Sequence, residues 1–368
     1  MARSDWIKPQ PLLHELRRRW KAILAAVAIL LVGAVWLVAH WLDTPGAVYH
    51  PGLGLDRDSV AYLQLYLSGP ARGAGAWLRG LGLETDLELG AVPAEFREWL
   101  GDLESGPRLT AADFEALAPL RAQLVLSLPE PGADRPAIDH AALTLTAHQR
   151  WRALNLQSQI QGWFKARAGR ALKYRGRYLH GPKSGPYLAV ANNSLLLASG
   201  ELAAYKMVDA LLDHRYAARD TDMMLRHTLF TIPGRHALTF ALSNREDFLV
   251  TLLDSVLDPN ARWLPSGLHP LRERLRRLAG AELERSLGRP LGVSAWADWS
   301  KRRGWSGTVR VFCPTTEIAA AERETWTGLI AAALDIPDSE RAKRLQSWTK
   351  LSLLTIRFQI VPARLEDR

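Results

Sequence analysis

The hydrophobic pattern of the chain opens with one long apolar run. Residues 22–39 carry no charged side chain and consist mainly of Ala, Leu, Val and Ile. A helix of about 20 such residues spans the hydrocarbon core of a bilayer and satisfies its own backbone there. A cleaved signal peptide has a shorter apolar region, of about 7–15 residues, behind a short basic segment. Residues 22–42 therefore predict an uncleaved transmembrane helix.

Charges on either side of this run predict its orientation. Three arginines and a lysine lie between positions 17 and 21, whereas Asp43 is the first charged residue after the run. Basic residues next to a membrane span stay on the cytoplasmic side. We therefore expect residues 1–21 to form a cytoplasmic tail and the bulk of the chain to lie beyond the membrane.

Shorter patterns follow a Gly/Pro-containing linker at 43–58. Period-two segments predict strands, and apolar residues three or four positions apart predict helices. The predicted strands are 60–67, 122–128, 141–146, 172–180, 187–191, 195–198, 237–242, 293–299, 305–312 and 351–361. The predicted helices are 74–82, 93–103, 110–118, 148–168, 201–212, 222–229, 245–257, 271–287, 316–334 and 339–349.

The order of these elements indicates an α+β fold. A strand-strand-helix sequence recurs, which favours antiparallel sheets with helices packed on them over a doubly wound parallel sheet. We divide the ectodomain into a first α+β region, 59–260, and a second, 261–368, which contains an arginine-rich helix and a tryptophan-rich hairpin. The sequence leaves open whether the two regions are one domain or two.

Charge and cysteine content narrow the picture further. The net charge of +9 is uneven, with −7 over residues 51–140 and +13 over residues 141–368. Cys313 is the single cysteine, which excludes an intrachain disulfide and a cysteine-based zinc site. Because it ends a predicted strand between Phe312 and Pro314, we expect a buried, unpaired thiol.

Three segments resemble a pattern in bacterial envelope-anchored proteins built on an α+β domain of unknown function. They are YRGRYL at 174–179, YLAVANNSLLLASGE at 187–201 and AAYKMVDAL at 203–211. The resemblance covers about residues 55–250 and implies an N-terminal anchor before an α+β domain, with no catalytic residues. Together with the charge pattern it predicts a single-pass protein of the bacterial inner membrane with a periplasmic ectodomain.

A basic, aromatic-rich stretch is the first candidate binding surface. No acidic residue occurs between His140 and Gly200, and cations alternate there with Trp, Phe and Tyr. Such a surface can bind polyanions or lipid headgroups, although a solvated basic face over an aromatic core explains it equally well. The candidate residues are Arg150, Arg152, Lys165, Arg167, Arg170, Lys173, Arg175 and Arg177.

The second candidate is the tip of the predicted hairpin at 293–312. Lys301, Arg302 and Arg303 lie there between Trp299 and Trp305. Adjacent cations in a turn favour an anionic partner. The flanking indole rings are amphipathic and suit a partly solvated contact with headgroups or sugars. The alternative is that both tryptophans simply pack on the sheet.

Short matches to catalytic motifs occur in the sequence, but the surrounding motif elements are missing or in the wrong order. Residues 347–350 match the Ser-x-x-Lys of penicillin-recognising enzymes, but the Lys-Ser-Gly at 183–185 precedes them and the middle element is missing. No histidines show metal-ligand spacing, so we predict no metal site and no cofactor.

The favoured function is therefore a non-enzymatic envelope protein anchored in the membrane by residues 22–42. Its ectodomain would bind or scaffold another envelope protein or an anionic polymer. The alternative is an enzyme that acts on envelope polymers through residues dispersed along the chain. Nucleic acid is not expected as a partner, because the ectodomain lies on the far side of the membrane.

Reporter fusions test the orientation. Alkaline phosphatase fused after His50 should be active and a fluorescent protein fused there should be dark, because the basic flank retains the N-terminus in the cytoplasm. A fluorescent protein fused before Met1 is the control and should fluoresce. Fluorescence together with inactive phosphatase after His50 would overturn the orientation.

Overall fold

The computed structural model describes residues 52, 54–67, 120–128, 140–147, 171–181, 187–191, 194–213, 221–257, 269–300 and 304–360, with single helical residues at 35, 38 and 158. No helix among these residues is long and apolar enough to cross a membrane. Most of the predicted span at 22–42 lies outside the described residues, so the anchor stays a prediction. The helices predicted at 74–82, 93–103 and 110–118, and nearly all of 148–168, also lie outside them.

The described residues form twelve strands and eight α-helices. The strands are β1 Ser59–Leu67, β2 Leu120–Ser127, β3 His140–Ala147, β4 Ala171–Tyr174, β5 Arg177–His180, β6 Tyr187–Ala191, β7 Ser194–Ala198, β8 Leu238–Ser243, β9 Gly292–Ser300, β10 Gly304–Phe312, β11 Leu345–Lys350 and β12 Leu353–Ile360. The helices are α1 Glu201–Asp213, α2 Met223–Phe230, α3 Phe248–Leu257 after a 3-10 turn at Arg245–Asp247, α4 His269–Leu278, α5 Ala281–Gly288, α6 Thr316–Ala321, α7 Arg323–Ala333 and α8 Asp338–Arg344.

All twelve strands belong to one sheet. Their order is β11-β12-β10-β9-β8-β1-β2-β3-β7-β6-β5-β4, and every neighbouring pair is antiparallel. The predicted combination of helices with antiparallel strands is confirmed. The described strands, however, form a single sheet instead of several. The β8–β9 pairing joins the two predicted regions, whose boundary at residue 260 lies outside the described residues.

The front face of the sheet, defined here as the face that carries Tyr62, has its core over β1–β7. Strand pairing aligns a row of five side chains there: Tyr62, Val125, Ala142, Ala198 and Tyr187. All five are buried and pack with apolar residues of α1 and α2. Side chains alternate between the two faces of a strand. This register therefore places the apolar side chains of each strand in the front core.

The back face has its core over β9–β12. Val293, Val311 and Leu354 are paired across three strands and are buried. They pack with apolar residues of α3, α5, α6 and α7, among them Trp326 and Ile330. The described helices therefore lie in front of one half of the sheet and behind the other half.

Three predicted elements were wrong in their extent. The helix at 271–287 is interrupted by Ala279 and Gly280, and the helix at 316–334 is interrupted by Glu322. The strand at 172–180 is a hairpin, because Arg175 and Gly176 form a turn with positive φ.

A fourth prediction was wrong in type. The helix predicted at 339–349 ends at Arg344, and Leu345–Lys350 is strand β11. Its side chains alternate between more and less buried positions, and it pairs with β12. Pairing with β12 therefore decides the conformation of a segment whose local pattern was ambiguous.

Cys313 has the expected environment. It is 3% exposed and carries a free thiol. Burial, reinforced by the charge of Glu322, raises the pKa of this thiol to about 11, so the thiol is protonated at neutral pH.

Gly307 should be essential to packing between β10 and β12. A Cβ at this position would come 2.5 Å from Cζ of Phe358 and 2.5 Å from the Trp296 carbonyl oxygen. We expect Gly307→Ala to lower the free energy of unfolding by about 1–3 kcal/mol, as overpacking usually does. Gly200→Ala, whose Cβ meets no atom within 4 Å, is the control for urea titrations. Equal midpoints would contradict this packing.

Candidate functional site

Side chains from four strands meet on the front face beyond the helix-covered half. Pairing places Trp296, Thr308, Arg357 and Gln346 in one row across β9, β10, β12 and β11. A second row contains Asp298, Ser306 and Gln359. The two rows line a groove of about 380 Å³, which we call the front groove.

Helix α8 closes the β11 end of the front groove. The helix ends at Arg344 and the chain continues directly into β11, so Lys343 and Arg344 line the groove beside Gln346. Arg344 is paired with Glu340, with 2.5 Å between Nε and Oε2. Lys343 is exposed and forms no ion pair within the described part of the chain.

Two arginines stack on tryptophan rings in this half of the sheet. The Arg310 guanidinium carbon lies 4.8 Å from the ring centre of Trp296, and that of Arg357 lies 4.9 Å from the ring centre of Trp348. A cation–π contact contributes about 0.5–1 kcal/mol at exposed positions and more when desolvated. The contact therefore positions the Arg357 guanidinium without neutralising its charge.

Trp296 lines the bottom of the groove and is mostly covered by neighbouring side chains. It is only 8% exposed, with Arg310 on its ring and the His236 ring centre 5.9 Å away. Arg310 is itself held because its Nη1 donates to the Thr231 carbonyl over 2.9 Å. Polar side chains and cations therefore provide the ligand-accessible surface of the groove.

The electrostatic balance of the front groove is positive. Asp298 is the acidic residue among its lining, and its Oδ2 lies 2.7 Å from His236 Nδ1 while its Oδ1 accepts the Ala237 N–H. Arg357, like Lys343, forms no ion pair among the described residues. The groove thus presents two uncompensated cations beside amide and hydroxyl groups, a combination that suits an anionic, hydrogen-bonding ligand.

The tryptophans at the predicted hairpin tip lie on the opposite face. Trp299 and Trp305 are directly paired, with ring centres 5.7 Å apart, and pack with Phe358 and Leu238. Trp305 is 2% exposed, so its ring offers little surface to a ligand. Lys301, Arg302 and Arg303 lie outside the described residues, and their binding role stays a prediction.

The described part of the first basic stretch lies at the other end of the sheet. Lys173 and Arg177 are on the hairpin β4–β5, and Arg175 is in its turn. Arg175 binds Asp209 and Asp213 of α1, at 2.8 and 2.7 Å, so its charge fastens the hairpin to the helix. Arg150, Arg152, Lys165, Arg167 and Arg170 lie outside the described residues. The structure does not bring Lys173, Arg175 or Arg177 near Trp299 and Trp305.

Sequence reasoning missed the front groove. The available signal was the alternation of Thr355, Arg357 and Gln359 with buried or half-buried apolar residues in β12. The helix wrongly predicted at 339–349 concealed the contribution of Gln346. Nothing in the local sequence indicates that β10 pairs with β12, which joins the β9–β10 hairpin to β11.

Comparisons with models of protein families, curated proteins and solved structures found no match. Among the described residues, no group of three or more His, Cys, Asp or Glu side chains could hold a metal ion. The front groove therefore has to be interpreted from its own chemistry.

The two parts of the hairpin should respond differently to substitution. Trp305→Ala should lower the free energy of unfolding by about 3–5 kcal/mol, because it empties a buried aromatic position. The triple change Lys301→Ser, Arg302→Ser and Arg303→Ser should alter it by less than about 0.5 kcal/mol, because the sequence predicts these residues in a solvent-exposed turn. Denaturant titrations of the two variants decide this, and a stable Trp305→Ala protein would argue against the buried position.

Proposed function

We propose that this chain is a non-enzymatic, single-pass envelope protein whose ectodomain binds an anionic polymer in the front groove. The observation that carries the proposal is the pair of uncompensated cations, Arg357 and Lys343, beside the polar row of β9–β12. A buried or closely paired cation would serve the fold, whereas these two are directed to the groove.

The geometry of Arg357 supports a fixed anion contact. A guanidinium presents N–H donors in a planar fork that matches the oxygens of phosphate or carboxylate. Because Arg357 lies over the Trp348 ring, its guanidinium is positioned before the ligand arrives. Less conformational entropy is then lost on binding.

The four lining strands give an extended ligand several points of contact. Four adjacent strands at about 4.8 Å spacing span about 14 Å from β9 to β11. Gln346, Gln359 and Ser306 are exposed along this width and can hydrogen-bond to successive units of a chain. The net charge of +13 over residues 141–368 adds long-range attraction for a polyanion.

The enzymatic alternative has weaker support at this groove. Asp298, His236 and Ser306 are close in the fold, and such residue types form nucleophilic triads. However, His236 faces Asp298 with Nδ1 and the Pro233 carbonyl with Nε2. Both ring nitrogens therefore have partners other than Ser306, which is not the arrangement of a catalytic triad.

A charge-removal variant tests the groove. The double change Arg357→Ser and Lys343→Ser should weaken binding of long-chain polyphosphate or polyglutamate at least about tenfold, because each lost contact is a charge-assisted hydrogen bond. The measurement is fluorescence anisotropy of the labelled polymer with the full-length protein in detergent, at low and high salt. Wild-type binding should weaken as salt rises.

The matched control removes the same charge elsewhere. Arg277→Ser with Arg285→Ser deletes two exposed cations of α4 and α5, and it should leave affinity within about twofold if binding is local. Equal losses of polymer affinity in both variants would mean that binding depends on the net charge of the protein and not on the front groove. Absence of wild-type binding to either polymer would reject the proposal and leave a protein partner as the alternative to examine.

A further inference from the structure

Helix α2 carries an exposed apolar and basic stripe. Leu225, Thr228 and Leu229 are its buried residues. The outward residues, Met223, Arg226, His227 and Phe230, recur at intervals of three and four positions and are all exposed. Met223 is 84% exposed and Phe230 is 62% exposed. We call these four residues the α2 stripe.

The stripe is held on a fixed helix. Asp222 caps α2 by accepting the Leu225 N–H over 2.9 Å. The inner side of α2 packs so closely on β9 that a Cβ at Gly292 would lie 2.9 Å from Met224 and from Thr228. The exposed apolar side chains therefore belong to a packed element instead of a loose loop.

Contacts along the stripe keep its cation available. The Arg226 guanidinium lies 5.8 Å from the centre of the Phe230 ring, and His227 packs edge-on against Phe312 at 5.3 Å. Arg226 forms no ion pair among the described residues. The segment Met223–Phe230 contains no acidic residue, so the stripe combines hydrophobic and cationic character only.

The start of α2 lies beside the point where the chain arrives from the predicted membrane span. The Thr221 hydroxyl donates to the Leu55 carbonyl over 3.4 Å, one residue before the Asp222 cap. Residues 43–54 separate this point from the end of the predicted span at residue 42. Twelve residues reach at most about 40 Å, so the linker limits the distance between the start of α2 and the bilayer to about that length.

We propose that the α2 stripe docks on the surface of an anionic membrane. Met223 and Phe230 enter the boundary between headgroups and acyl chains, and Arg226 binds lipid phosphate, as amphipathic interfacial helices do. An acidic protein would satisfy Arg226 but has no tether to bring it there, whereas the bilayer is held nearby by the chain itself. This inference rests on the proposed anchor for proximity, and it does not depend on polymer binding in the front groove.

Docking would also orient the front groove. The segment after α2 leads to the groove, since Arg310 binds the Thr231 carbonyl and His236 lies against Trp296. Membrane docking therefore brings the groove beside the membrane surface.

Site-specific quenching tests the docking. The full-length protein is reconstituted into phosphatidylglycerol-containing vesicles that carry a spin-labelled headgroup-region lipid, with an environment-sensitive dye at Met223→Cys or Phe230→Cys. Cys313 is buried and should not react with the dye. Dye at Ala320→Cys, exposed on α6 behind the sheet, is the matched control. We expect strong quenching at positions 223 and 230 and none at position 320.

Changing the charge of Arg226 or of the lipid provides a second test. Arg226→Glu, or replacement of phosphatidylglycerol by phosphatidylcholine, should reduce quenching at position 223. Quenching at position 223 no stronger than at position 320 would overturn the proposal. A dye that is shielded at position 223 yet insensitive to the lipid quencher would also overturn it, because a protein would then cover the stripe.

Failure of the proposed function can be told apart from failure of docking. The Arg357→Ser and Lys343→Ser variant should lose polymer binding and keep the quenching pattern. Alkaline extraction of the membranes tests the anchor separately, and the quenching pattern reports docking whether the chain is integral or peripheral.

Discussion

The alternation of side chains across one continuous antiparallel sheet is the constraint on which the rest of the molecule depends. The front row that begins at Tyr62 continues through Ala241, Ser294, Arg310 and Thr355. Its apolar half lies under α1 and α2, and its polar half lies beside the front groove. Slipping one strand by a single residue would exchange the faces and expose the core. The fold and the groove therefore depend on the same register.

Buried polar contacts connect β1 and β2 beside this row. Gln123 Nε2 donates to the Tyr62 hydroxyl over 2.7 Å, and that hydroxyl donates to Gln64 Oε1 over 2.9 Å. Burial raises the pKa of Tyr62 to about 12, so the hydroxyl remains a donor at neutral pH. A buried group that loses its partner costs about 1–3 kcal/mol. This network therefore penalises a shift of β1 against β2 beyond the loss of apolar packing.

Local patterns in the sequence were sufficient for most described strands, for the hairpin β9–β10 and for the buried thiol of Cys313. They were insufficient for β11, because Ser347, Trp348 and Thr349 fit a strand only beside β12. They also favoured consecutive charges such as Lys301, Arg302 and Arg303 as binding candidates. The front groove is assembled from residues 296 to 359, and its members become neighbours only through strand order. That order is a property of long-range pairing, which periodicity does not contain.

Arg357 and Lys343 differ from several other cations of the protein, which form ion pairs within the fold. Arg175 binds two carboxylates of α1, Arg289 binds the buried Glu322, and Lys206 binds Asp56 at 2.8 Å. The partly exposed pairs of Arg175 and Lys206 contribute little to stability, commonly less than about 1 kcal/mol. Their larger effect is to cancel charge locally, so the field of this basic protein is concentrated at the cations left uncompensated. Arg357 and Lys343 in the groove and Arg226 on α2 are three such cations on the front of the molecule, where they attract an anionic surface.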